Sequence, residues 1–155
     1  MLFFIMAQSL SQVYLHVVFS TKKRVPVLDK KCRPGLFAYI AGTIKLLGAH
    51  ALIINGVEDH LHILTVFPRT ITIAEFIKEI KRTSSKWLKT QGPQFQRFSW
   101  QAGYGVFSVS YESFENVKRY IERQEEHHRI KGFKEEFLDL LEQYDVEYDL
   151  RYLWD

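Results

Sequence analysis

The chain has 155 residues, is 46% hydrophobic and 15% aromatic, and carries a formal net charge of +3. This is a globular composition, long enough for one domain with a buried core, and its mild excess of cations permits a nucleic-acid partner without demanding one. A single cysteine, Cys32, excludes an internal disulfide framework and a cysteine-rich zinc knuckle, and fits a cytoplasmic protein.

Residues 1–7 are apolar but lack a basic segment and are too short for a signal peptide or a membrane span, so no membrane association is expected. Met6 offers an alternative start, and residues 1–8 read as a ragged extension. Residues 11–19, rich in β-branched and aromatic side chains, form the first expected strand. His16 lies inside it and reads as a packed or edge residue. Lys22, Lys23 and Arg24 follow in a loop, where three cations are either solvated or placed to clamp phosphates. Asp29 is a candidate helix cap, and Leu36, Phe37, Ile40, Ile44 and Leu47 recur at helical spacing until Gly48.

Residues 49–57 and 60–67 read as two strands joined at Glu58 and Asp59. The second of them opens with His60-Leu61-His62. Side chains two apart on a strand leave from the same face, so both imidazoles would stand side by side above a sheet. Residues 73–89 show a clear 3.6 period, with Ile73, Phe76, Ile77, Ile80, Ser84 and Trp87 on one stripe. Lys78, Lys81, Arg82, Lys86 and Lys89 lie opposite, either as a solvated face or as a surface that tracks phosphates.

Gly92 and Pro93 break the chain, and residues 98–109 read as a loop and a fourth strand, with Gly103 and Gly105 marking positive φ or a close backbone approach. Ser110 or Ser113 can cap a helix that runs through Val117, Tyr120, Ile121 and Gln124 to about Ile130, with Gly132 as its stop. Residues 134–144 form a last amphipathic helix, and residues 145–155 an acidic, aromatic tail expected to pack on the domain or on a partner. His127 and His128 could approach a metal or DNA, or simply suit a helix end.

The order β-α-β-β-α-β, with further helices behind it, predicts an α+β ferredoxin-like fold: an antiparallel sheet with helices on one face and the other face free for function. The first and third strands would be its central pair, so His60 and His62 would stand in mid-sheet. Two imidazoles leave a metal under-coordinated. Tyr120 and Gln124, four apart on one helix face, could bring an amide oxygen and a phenol to the same spot. Near a divalent cation a phenolate is favoured and a phosphate under attack is polarised, so the tyrosine could capture a DNA end covalently.

His60-Leu61-His62 matches the HUH pattern, and residues 120–128 resemble the tyrosine helix of single-tyrosine HUH transposases, the small IS200-like insertion-sequence enzymes that move as single-stranded DNA. The resemblance also covers Val17-Val18-Phe19, Asp59, residues 100–109 and residues 148–154. It implies that His60, His62 and Gln124 bind a divalent metal, Mg²⁺ or Mn²⁺, and that Tyr120 is the nucleophile. It further implies a homodimer in which the tyrosine of one subunit can serve the histidines of the other. The expected function is a transposase that binds hairpin ends in single-stranded DNA, cleaves them to a 5′-phosphotyrosine and rejoins strands. Lys22, Lys23, Arg24, Lys78, Arg82 and Lys86 are the expected DNA contacts.

Three alternatives accompany it. A domesticated relative would apply the same chemistry to palindromes in a host genome. A non-catalytic single-strand binder would need aromatics on the open face of the first and third strands. A zinc hydrolase would use a metal-bound water and survive loss of Tyr120.

Overall fold

A computed structural model describes residues 7–155, so most of the expected ragged start lies outside the described residues. Four strands form one antiparallel sheet: β1 (Tyr14–Ser20), β2 (His50–Gly56), β3 (His60–Val66) and β4 (Gly105–Val109), in the order β2-β3-β1-β4. Among the described residues five α-helices accompany it: α1 (Arg33–Leu46), α2 (Ile73–Lys89), α3 (Phe114–Glu122), α4 (Gln124–Ile130) and α5 (Phe133–Gln143). The fold is α+β, and β1 and β3 are the central pair.

Alternation along the strands decides which layer each residue joins. Val17 and Phe19 of β1, with Leu61 and Ile63 of β3, pack into the larger core beneath α1 and α2. The α2 stripe, Phe76, Ile77, Ile80, Ser84 and Leu88, is buried there. The Thr72 side chain accepts a hydrogen bond from the Glu75 N–H and starts that helix. Inside the core, the Trp100 indole donates to Ser84 Oγ at 3.0 Å, so the one hydroxyl on the stripe is satisfied. Asp29 Oδ1 accepts from the Cys32 N–H in a turn just before α1, which begins later than a cap at Asp29 would place it.

The other sheet face was expected to be free, and it is not: α3, α4 and α5 cover it. Its cause is a second set of apolar stripes. Phe133, Phe137, Leu140 and Leu141 of α5 pack on Val18 and Phe107, while Ile121 of α3 packs on Leu64 and Val109. Gly105 permits this close layer, because a Cβ there would lie 2.5 Å from a ring carbon of Phe137. A single helix was expected from the serine caps to Ile130. Instead the chain turns at Arg123 (φ −98°, ψ 25°) between α3 and α4. Asn55 of β2 donates its amide N–H groups to the carbonyls of Ile121 (2.9 Å) and Glu122 (3.2 Å), satisfying the end of α3. The tail packs on its own domain, with Leu153 and Trp154 against the α5 cluster.

Candidate active site

His60 and His62 leave β3 on the covered face, and both are fully buried. The antiparallel register sets Ser20 opposite His60 and Val18 opposite His62. Each ring has its Nδ1 engaged: His60 by Asp59 Oδ1 at 2.7 Å, His62 by His16 Nε2 at 2.8 Å. Both Nε2 atoms therefore face the space under α3, α4 and α5. A neutral imidazole that offers its Nε2 lone pair keeps its proton on Nδ1, so Asp59 and His16 are placed as the acceptors that orient the pair.

Three further side chains close on the same spot. Gln124, at the start of α4, is fully buried, with Oε1 at 3.3 Å from His60 Nε2. Glu136 enters from the middle of the apolar stripe of α5 and is 4% exposed. Its carboxylate lies 3.3 Å from His60 Nε2, 2.9 Å from His62 Nε2 and 3.3 Å from the donating Gln124 Nε2. Tyr120, on α3, donates its hydroxyl to Glu136 Oε1. The break at Arg123 thus does not separate Tyr120 from Gln124, because Glu136 bridges them.

The electrostatics follow from burial and these carboxylates. Burial disfavours the His60 imidazolium, but Asp59 and Glu136 outweigh it and hold the ring up at about 9. Burial dominates at His62 and at His16, and both are lowered. For Glu136 burial works upward, yet the two imidazoles win and keep its carboxyl well below the usual range. The Tyr120 phenol is raised, by burial first and then by Glu136.

His60, His62 and Glu136 form a buried group that could hold a metal ion. Two atoms of this group, His62 Nε2 and Glu136 Oε2, are buried and make no well-directed hydrogen bond despite the short separations within it. Orphaned atoms of this kind are rare in native interiors and call for an explanation such as an ion. Nitrogen and oxygen donors without thiolate suit Mn²⁺, Mg²⁺ or Zn²⁺ rather than softer ions.

The other predicted residues divide between two places. Lys22, Lys23 and Arg24 form a 3₁₀ turn just beyond Ser20, at the His60 end of the sheet. Lys22 and Lys23 are exposed, whereas Arg24 donates to the Trp154 carbonyl at 2.8 Å and lies over its indole. Lys78, Arg82 and Lys86 are exposed on α2, across the sheet from the histidines. Arg82 is paired with Glu79 at 2.7 Å. Lys81 does not join that outer face: its ammonium donates to the carbonyls of Gln101, Ala102 and Gly103, and burial lowers it to about 8. His127 packs on the Tyr120 ring, and His128 pairs with Glu58 at 2.6 Å.

Sequence reading passed over Glu136 and gave His16 no part in the site. The signal for Glu136 was a lone carboxylate between Phe133, Phe137 and Leu140 on an otherwise apolar stripe. His16 carried a weaker one, a histidine on the central strand next to the paired histidines.

The family model described as "Transposase IS200 like" matches residues 9–124. The ISDra2 transposase TnpA of Deinococcus radiodurans is 24% identical over 118 residues, 73% of this chain and 84% of that protein. A crystal structure of a transposase from D. radiodurans R1 superposes with a TM-score of 0.61 at 21% identity, covering 79% of this chain and 98% of the other. A REP-associated tyrosine transposase bound to a REP hairpin has a TM-score of 0.53 at 11% identity, covering 86% of this chain and 76% of the other. Among the described residues no helix is long and apolar enough to cross a membrane. The family match spans the whole β-α-β-β-α-β unit and α3 and ends on Gln124, and on that ground the chain belongs to the IS200-like transposases.

Proposed function

We propose that this transposase cuts and rejoins single-stranded DNA by transesterification at Tyr120, on substrates whose ends fold into hairpins. The observation that carries the reading is the convergence of one phenol, two imidazoles and one amide on a single buried spot within one chain. His60, His62 and Gln124 would hold Mg²⁺ or Mn²⁺, and a cation bound there would polarise the scissile phosphate and favour the phenolate. Tyr120 Oη attacks phosphorus and gives up its proton. The 3′ oxygen of the upstream nucleotide leaves and is protonated, so a 5′-phosphotyrosine and a free 3′ hydroxyl result. A second 3′ hydroxyl then attacks the linkage, forms the new phosphodiester and returns the phenol, with no ATP required.

His16 and Asp59 orient the imidazoles, and the cover of α3, α4 and α5 keeps bulk water away. The exposed Lys22 and Lys23 would contact phosphates near the site, and Lys78, Arg82 and Lys86 would serve a more distant part of the DNA. A homodimer remains part of the reading, but shared active sites are not needed for it, since Tyr120 already meets the histidines of its own chain. The single-strand binder is disfavoured, because this face of β1 and β3 is covered by α3, α4 and α5, and Tyr14, an aromatic on it, packs on Phe114 of α3 rather than lying open to a base. Palindrome processing in a host genome shares this chemistry, and the hairpin held by the REP-associated neighbour keeps it as the second reading.

The test uses end-labelled single-stranded DNA carrying the palindromes that flank the coding sequence, incubated with Mn²⁺, Mg²⁺ or EDTA and run on a denaturing gel. The expected outcome is a metal-dependent protein–DNA adduct that Tyr120→Phe abolishes while DNA binding persists. Cleavage without an adduct would favour a metal-bound water and the hydrolase alternative.

A further inference from the structure

We infer that Glu136 is a metal ligand, so that helix α5 is an integral part of the metal centre and not merely a cover over it. The inference rests on the metal-dependent reading above and extends its ligand set of two histidines and a glutamine.

Donor spacing is the first argument. The Glu136 oxygens lie 3.3 Å from His60 Nε2 and 2.9 Å from His62 Nε2, and Gln124 Oε1 lies 3.3 Å from His60 Nε2. Adjacent ligands at right angles, each about 2.1 Å from a common ion, are separated by about 3.0 Å. These three pairs are therefore spaced as neighbours in one shell, and the ligand atoms of His60, His62 and Glu136 all lie within 4.8 Å of one another.

Burial is the second. Glu136 sits among Phe133, Phe137 and Leu140 on α5 at 4% exposure, where an unpaired carboxylate is costly. Yet Glu136 Oε2 and His62 Nε2 make no well-directed hydrogen bond, although they lie 3.3 Å from His60 Nε2 and 2.9 Å from Glu136 Oε1 respectively. One divalent cation would satisfy both. It would also add the anionic oxygen that a His, His, Gln set lacks, which favours the harder divalent ions.

The rival is that Glu136 is a plug, an internal anion that pairs with the histidines and must leave when metal enters. The two roles predict opposite effects of one isosteric change. A ligand Glu136→Gln weakens metal binding; a plug Glu136→Gln strengthens it.

The experiment is a Mn²⁺ titration of the full chain, followed by the electron paramagnetic resonance signal of free Mn²⁺, for wild type, Glu136→Gln and His62→Ala. Expected is a loss of affinity in Glu136→Gln of at least about tenfold, the scale reached even when outer partners of metal ligands are removed, with the same direction in His62→Ala. Equal or tighter binding in Glu136→Gln overturns the assignment while leaving metal-dependent adduct formation intact. Failure of wild type to bind Mn²⁺ at all overturns it together with the metal dependence of the proposed function. Should Glu136→Gln not fold, anomalous scattering from Mn²⁺-soaked wild-type crystals decides. An ion within about 2.4 Å of a Glu136 oxygen supports the ligand, and an ion held by the histidines with Glu136 turned away refutes it.

Discussion

At the scale of single residues, the two imidazoles are only as useful as the groups behind them. His16 takes up Nδ1 of His62 as Asp59 does for His60, and both contacts sit in or beside the central strand pair. Replacing His16 with Phe keeps a ring of similar shape against His62 and removes the hydrogen-bond partner. Metal affinity should fall by about 10- to 100-fold, measured by Mn²⁺ titration, with little change in secondary structure by circular dichroism. Unchanged affinity would reduce His16 to packing. Of these residues, the His-x-His pair was readable in the chain, because its spacing alone puts both rings on one face of a strand. Tyr120 and Gln124 were paired by a helical spacing that the break at Arg123 interrupts, and it is Glu136 that brings them together. Glu136 itself was not readable, since an amphipathic pattern does not reveal that a charged residue falls on the inward stripe until the direction of that stripe is known.

At the scale of elements, α5 is docked by an apolar stripe and by one buried carboxylate, and the two can be perturbed separately. Gly105→Ala drives a methyl against Phe137, 2.5 Å from its ring carbon. It should destabilise the chain by about 1–3 kcal/mol, read from the midpoint of denaturant unfolding. The carboxylate is probed by pH in the metal-free protein. His60 faces Asp59, Glu136, His62 and Gln124, and its imidazole is raised from 6.5 to about 9 in the fold. A group raised on folding contributes fully below its unfolded value and loses that contribution as pH climbs through the folded one. The His60 contribution is therefore lost between about pH 6.5 and 9, and the thermal midpoint in EDTA should fall most clearly between about pH 7 and 8. Glu136 is lowered below 4.5 and Tyr120 raised above 10, so neither offsets the trend, whereas His16 and His62, lowered below 6.5, oppose it at the lower edge of the window and Lys81, lowered to about 8, opposes it at the upper edge. Saturating Mn²⁺ competes with the proton on His60 and should reverse the trend. A flat midpoint in EDTA would dissociate His60 from the docking of α5.

Element boundaries were legible where pattern and breaker coincide: residues 73–89 are the span of α2, and the β2–β3 hairpin turns at Glu58 and Asp59. The break at Arg123 was hidden because Asn55, whose amide satisfies the carbonyls at the end of α3, lies on β2 and reaches them only through the fold. The covered sheet face was hidden for the same reason, since α3 and α5 show apolar stripes without saying what those stripes meet.

At the scale of the whole molecule, charge is divided between the two sides of the sheet. Exposed Lys22 and Lys23 stand at the His60 end, and Lys78, Arg82 and Lys86 stand behind α2. DNA engaged at the site should therefore depend on the first pair. The double change Lys22→Ala and Lys23→Ala should weaken binding of single-stranded DNA and lower the slope of log affinity against log salt by about 1.4, two phosphate contacts at roughly 0.7 each. Fluorescence anisotropy across a salt series reads both, and an unaltered slope would move the DNA path away from that turn.

The central claim is that Tyr120 becomes covalently joined to a 5′ phosphate. Its most direct measurement is mass spectrometry of the proteolysed adduct formed with single-stranded hairpin DNA and Mn²⁺. The account predicts one modified peptide, containing Tyr120, with the mass of the attached nucleotide on that side chain. Attachment to any other residue, or cleavage that leaves every peptide unmodified, would contradict it.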